Sequence, residues 1–196
     1  KKPLLGWTNK KMPENKEDFS IEPANSNLMK HHSDSLIEKS IEYLKALETE
    51  SLADAEELDL KGWDLHRAAE ENRADIARAL INSGNDVDTR DDSEATPLFP
   101  AAFSNSIQVA KVLIDNGADV NALDSGSWSP LVLASHFDSV EFVMLMIMNG
   151  ANIEAKDGDG YSSLYYASQQ HSLKLATFLI EHGANTDGID LSWMDE

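Results

Sequence analysis

The sequence predicts an all-α solenoid of helix-loop-helix units joined by short β-hairpin-like loops, and three observations predict it. Leu65, Leu98, Leu131 and Leu164 stand 33 residues apart. Ala68, Ala101, Ala134 and Ala167 keep the same step, as do Gly84, Gly117, Gly150 and Gly183. Within a unit, apolar residues such as Val109, Val112 and Leu113 recur at helical spacing. Twelve positions in one register describe a stack of supersecondary units, each burying its apolar face against its neighbours.

Residues 1–32 read as an extended N-terminal arm. Pro3, Pro13 and Pro23 interrupt a stretch with neither helical nor strand periodicity. Leu4, Leu5, Trp7, Met12, Phe19 and Ile21 suit an arm that lies on a surface. The chain opens Lys1-Lys2-Pro3 without a methionine, so residues are expected upstream. His31-His32 has no further ligand nearby and reads as a solvated helix start rather than a metal site.

From Ser35 the pattern changes. Ser35 and Glu38 have capping-box spacing, and Leu36, Ile37, Ile41, Leu44 and Leu47 predict a helix over about 35–49. Tyr43, Leu47 and Ser51 stand one period before Ile76, Leu80 and Gly84, so residues 33–57 read as a capping helix or degenerate repeat. Residues 58–196 form the repeat domain. In each unit a first helix opens near Thr96-Pro97-Leu98, with proline at a tolerated first-turn position. Ser106, Ser139 and Ser172 precede the second helix, where a hydroxyl is expected to cap it. Gly117 and its equivalents then end that helix in the left-handed conformation.

Charge narrows the partners. The 196 residues hold 16 Lys and Arg against 35 Asp and Glu, a formal net charge of -19. Residues 1–30 carry +2, residues 31–60 carry -7 and the rest -14. Nucleic acid and anionic lipid need a basic surface, so neither is expected, and a basic protein partner fits. The longest strongly apolar run, residues 142–148, is far short of the roughly 20 residues a membrane span needs. With no cysteine there is no disulfide or thiol nucleophile, and cytoplasm, periplasm and secretion all stay open.

The repeated segments Thr96-Pro97-Leu98-Phe99-Pro100-Ala101-Ala102 and Gly117-Ala118-Asp119-Val120-Asn121-Ala122 resemble the ankyrin repeat, in four units over about residues 58–190. The motif histidine is kept at His66 and replaced by Phe99, Val132 and Tyr165, so some motif hydrogen bonds must be lost or replaced. Ankyrin resemblance implies a rigid protein-binding platform whose hairpin tips and first helices line a concave face. On that face it places Asp92, Trp128, Asp159 and Tyr161 at tips, with Phe103, His136, Phe137 and Gln169 along helices. Exposed aromatics anchor interfaces, and surrounding acids steer a basic partner.

Other constellations carry less. Asp157-Gly158-Asp159-Gly160 opens like a calcium loop, but its register places it at a hairpin tip and the twelfth position is Ser168 rather than Glu. No nucleophile elbow, phosphate loop or His-Glu-x-x-His spacing points to catalysis, so no catalytic residue, metal or cofactor is assigned. Met144 and Met148 occupy outward places on a second helix and suit either a contact surface or cover by the arm. Trp193 and Met194 are expected to cover the last helix pair. The reading is a non-enzymatic binding module, with an inhibitor or immunity-type protein against a basic toxin or enzyme as its sharper form. An adaptor, a host-directed effector, or the recognition part of an enzyme are the alternatives.

Overall fold

The computed structural model describes residues 38–45 and 58–195. The arm of residues 1–32, the His31-His32 pair and the predicted cap at Ser35 lie outside the described residues. Residues 38–45 form α1. Four helix pairs follow: α2 (Leu65–Glu70) with α3 (Ala74–Asn82), α4 (Leu98–Phe103) with α5 (Ile107–Asp115), α6 (Pro130–His136) with α7 (Val140–Met148), and α8 (Ser163–Gln169) with α9 (Leu173–Glu181). A 3-10 turn spans Ser192–Asp195. The even-numbered helices pack in sequence as an inner layer and α3, α5, α7 and α9 as an outer one. Among the described residues, strand pairing is confined to one antiparallel bridge, Lys156 with Ser162. The predicted all-α solenoid is the observed architecture.

Caps explain where the inner helices start. The side chains of Asp64, Ser129 and Ser162 accept from the backbone N–H groups of Arg67, Val132 and Tyr165 at 2.8, 3.2 and 3.3 Å. In the second unit Pro97 takes the cap place instead, and the buried Thr96 hydroxyl has no partner.

The expected capping by Ser106, Ser139 and Ser172 does not occur: none makes a side-chain cap bond. Their backbone is used instead. Ser106, Ser139 and Ser172 donate their N–H groups back to Ala101, Ala134 and Ala167 at 2.8, 2.9 and 3.0 Å, closing the preceding helix. The residue before each, Asn105, Asp138 or His171, holds the left-handed conformation with φ between 50° and 53°. Asn and Asp tolerate that region, which explains polar residues where glycine would also serve. At the ends of the outer helices glycine does serve, Gly117 having φ 90°.

The core runs as a strip between the layers. Leu98, Leu113, Phe142 and Phe178 are fully buried, and the periodic alanines Ala68, Ala101, Ala134 and Ala167 have no exposed surface, so neighbouring inner helices approach closely. Side chains also stitch each unit to the next: Asp88 accepts from Asp119 N–H at 3.1 Å, Asn121 from Asn152 N–H at 2.8 Å and Glu154 from Asn185 N–H at 2.8 Å. Those donors and acceptors repeat at 33 residues. Past α9, Leu191, Trp193 and Met194 pack against the core, and Trp193 stacks on His171 with centroids 5.2 Å apart.

The outer layer departs from the plain repeat. Met148 is exposed as expected, but Met144 is fully buried, and Thr177 at the equivalent place on α9 is buried too. Glu141, one turn before Met144, accepts a hydrogen bond from the Ser40 hydroxyl of α1 at 3.0 Å. Lys174 of α9 donates to the same carboxylate oxygen at 2.6 Å. Ser40 and Leu44, one turn apart on α1, are both buried. Thus α1 meets the outer layer at the start of α7, and its Lys39, Ser40 and Tyr43 line an open groove of about 550 Å³ together with Asn72, Ile107 and Gln108.

Candidate binding face

The second, third and fourth hairpin tips are each organised by an aspartate, again at a 33-residue step. Asp91 Oδ1 accepts from Ser93 and Ala95 N–H, Asp124 Oδ1 from Gly126 and Trp128 N–H, and Asp157 Oδ1 from Asp159 and Tyr161 N–H, all at 2.8–3.0 Å. Such carboxylates stand in for a turn of backbone. Backbone bonds from Asp124 N–H to Trp128 O and from Asp157 N–H to Tyr161 O, both 3.1 Å, close the loops. Asp157-Gly158-Asp159-Gly160 is therefore a hairpin tip, as its register predicts.

Adjacent tips touch. Ser125 N–H donates to Ser93 O at 3.0 Å, joining the second tip to the third. At Gly158 a Cβ would stand 2.7 Å from Gly126 O, so the third and fourth tips approach closely enough to require glycine there. In the first unit His66 does this linking: its Nε2 lies 2.9 Å from Ala95 O, and since a carbonyl only accepts, Nε2 carries the proton.

On this row of tips and inner helices the aromatic residues form one continuous strip. Phe103 at the end of α4 meets Phe137, the residue closing α6, edge to face at 5.0 Å. Phe137 meets the His136 ring at 5.0 Å, and His136 in turn meets Trp128 at 5.7 Å and Tyr166 at 4.8 Å. Trp128 and Tyr166 lie 5.7 Å apart. Tyr166 leads to Tyr165 at 5.6 Å, and Tyr165 stacks on Tyr161 at 4.1 Å and 14°. Edge-to-face and stacked pairs at these distances are mutually attractive. The strip still offers surface: Phe103 is 48% exposed and Phe137 40%, with Trp128 and Tyr161 half-buried.

Of the eight residues the sequence places on this face, Phe103, Trp128, His136, Phe137 and Tyr161 join the strip. Asp92, Asp159 and Gln169 are exposed and make no ring contact, the aspartates standing on the tips. Sequence reasoning missed Tyr165, Tyr166 and Asp157 as members. Tyr166 donates its hydroxyl to Asp157 Oδ2, and Asp157 is only 6% exposed. The signal for Asp157 was its step from Asp124 and Asp91. Tyr166 had none, because Leu133 fills the equivalent place.

Electrostatics follow from this packing. Burial, reinforced by the bond to Asp157 and that residue's charge, pushes the Tyr166 phenol far above its ordinary range. Burial also raises Tyr165, with Tyr161 and Asp157 adding to it. His136 is held below the usual histidine value by burial, which outweighs the opposing pull of Asp157, so it is neutral at pH 7. Helices α4, α6 and α8 carry no Lys or Arg, and between Lys111 and Lys174 the one such residue is Lys156.

Among the described residues no group of three or more His, Asp and Glu side chains converges to hold a metal ion. No helix among them is long and apolar enough to cross a membrane. Comparison with protein families matches the one described as ankyrin repeats (3 copies), over residues 36–124 and 123–190. No curated protein matches the chain.

Proposed function

The chain belongs to the ankyrin repeat family, a family of protein–protein interaction modules, and from that premise we propose that it binds a protein partner through the strip between Phe103 and Tyr161. One observation carries the reading: seven aromatic side chains from three successive units touch in sequence and keep exposed surface. A lone exposed aromatic is ordinary, whereas a contiguous apolar patch with a polar rim is the composition of an interface core. Ring stacking also fixes these side chains before a partner arrives, so little rotamer freedom is lost on binding.

The charge selects the partner. Asp92, Glu94 and Asp159 are exposed on the tips and the inner helices of the strip have no cations, which favours a basic protein and raises its rate of encounter. We read the module as non-enzymatic, and as an inhibitor or immunity-type protein that covers a basic toxin or enzyme. Capture from a lysate of the source, using wild type beside a Trp128→Ala, Tyr161→Ala double variant, tests the reading. A basic protein held by wild type and lost by the folded variant is the expected result. Capture that is equal for both, or selective for acidic proteins, overturns it.

A further inference from the structure

The loops after the outer helices repeat one arrangement three times. Asp88, Asn121 and Glu154 stand at a 33-residue step, and each accepts a backbone N–H of the following unit. The residue after each, Thr89, Ala122 or Ala155, donates its own N–H to Asp86, Asp119 or Asn152 O at 3.2, 3.2 and 2.9 Å. Side chain and following amide are both engaged.

The fourth loop breaks the pattern at the same place. Asp187 is exposed, and among the described residues its carboxylate meets no donor or cation. Gly188 follows with φ 75°, and the closing bond has slipped by one residue, running from Ile189 N–H to Thr186 O at 3.1 Å. Among the described residues the Gly188 N–H has no acceptor. We infer that Asp187-Gly188 is a modification site, where aspartate converts to isoaspartate.

The chemistry needs only these two residues and water. The Gly188 nitrogen attacks Asp187 Cγ, the amide proton and the carboxyl OH leave as water, and a succinimide ring closes. Water then adds to either ring carbonyl. Opening on one side restores aspartate, and on the other gives isoaspartate, with the main chain running through the side-chain carbon. Glycine has no Cβ to hinder the closure.

The chain has four more Asn-Gly or Asp-Gly pairs, and in each the fold occupies a reacting group. Gly117 and Gly150 donate their N–H groups to Ile114 and Ile147 O at 2.9 and 3.1 Å, while the Asn116 and Asn149 side-chain amides donate to Val112 and Leu145 O at 2.8 Å. Gly160 N–H donates to Asp157 O at 3.0 Å, and the Asp157 carboxylate beside Gly158 holds three donors. Such pairs react only from locally opened states. Isoaspartate at 187 adds a methylene to the main chain shortly before Asp190, whose carbonyl takes the Ser168 hydroxyl and the Trp193 indole N–H. It therefore loosens the turn that covers the last helix pair.

Incubating the folded full chain in mildly acidic water enriched in oxygen-18, followed by peptide mapping and isoaspartyl methyltransferase labelling, tests the inference. Isoaspartate is expected at 187 about tenfold or more ahead of the other four pairs. Asp187→Glu, which would have to close a six-membered ring, should form none there, and Asp187→Asn should react faster with release of ammonia. Isoaspartate arising first at any other pair overturns the assignment, as does a lead of Asp187 that persists in denaturing urea. So does its absence at 187 once a synthetic peptide of residues 183–191 has converted in the same buffer.

Discussion

Tyr166→Phe removes one oxygen and keeps the ring, which makes it a sharp probe of the buried acid under the strip. In the wild type, Asp157 Oδ1 takes two backbone N–H groups and Oδ2 takes the Tyr166 hydroxyl. With Asp157 only 6% exposed, loss of that hydroxyl leaves a carboxylate oxygen short of a donor where water reaches poorly. Hydrogen bonds to charged groups contribute about 1.5–3 kcal/mol, and the half-buried phenol argues for the lower part of that range. Urea unfolding at pH 7 should therefore show a loss of about 1.5–2 kcal/mol. Tyr165→Phe, whose hydroxyl has no such acceptor, should lose much less.

The same pair predicts a high-pH signature. Because the folded phenol is held above its ordinary value of 10.0, its contribution is complete below pH 10 and is lost as the pH rises beyond that. Wild type should lose more stability than Tyr166→Phe between pH 9 and pH 11. Equal stability of the two proteins at pH 7, within about 0.5 kcal/mol, would refute the claim that this bond holds the fourth tip.

Two further expectations test other parts of the fold. Gly158→Ala forces a Cβ to 2.7 Å from Gly126 O, a backbone atom that cannot swing aside, so a loss of about 1–3 kcal/mol is expected by thermal or urea unfolding. Gly126→Ala, whose nearest neighbour is the Trp128 ring at 3.1 Å, should cost less. For Glu141, burial pushes the carboxyl up, but the bond from Lys174, the residue's own backbone N–H and Ser40 together hold it below its ordinary value of 4.5. A depressed folded value means stability present above pH 4.5 and lost as the pH falls through the folded value. The gap between wild type and Glu141→Gln should thus be widest at neutral pH and close on acidification, read by urea unfolding from pH 7 to pH 3.

What could be read from the sequence was what repeats. Leu65 and its equivalents announce the helices, and Asp157 follows from Asp124, because a position used the same way in every unit leaves a periodic trace. Contacts made once leave none. The Ser40–Glu141 bond joins residues 101 apart with no register between them, so only the structure places α1 on the outer layer. The buried Met144 departs from its repeat place as well: Arg78 and Lys111 hold that place with polar side chains, whereas Met144 and Thr177 are buried there. The serines before the outer helices mislead in another way. Their type suits a cap, but the left-handed residue ahead of them turns the backbone so that the N–H, rather than the hydroxyl, completes the turn.

A stack of identical units linked only to their neighbours behaves like a row of beads, and such rows melt from their ends. The bond between α1 and α7 changes that connectivity. The segment that precedes the first unit is fastened to the third, and through the shared Glu141 carboxylate to Lys174 of the fourth, so contacts reach past nearest neighbours. Opening the third pair of helices then also releases Ser40 of α1. The third unit is thus tied to α1 as well as to its neighbours, a link that the nearest-neighbour description of a plain repeat row leaves out.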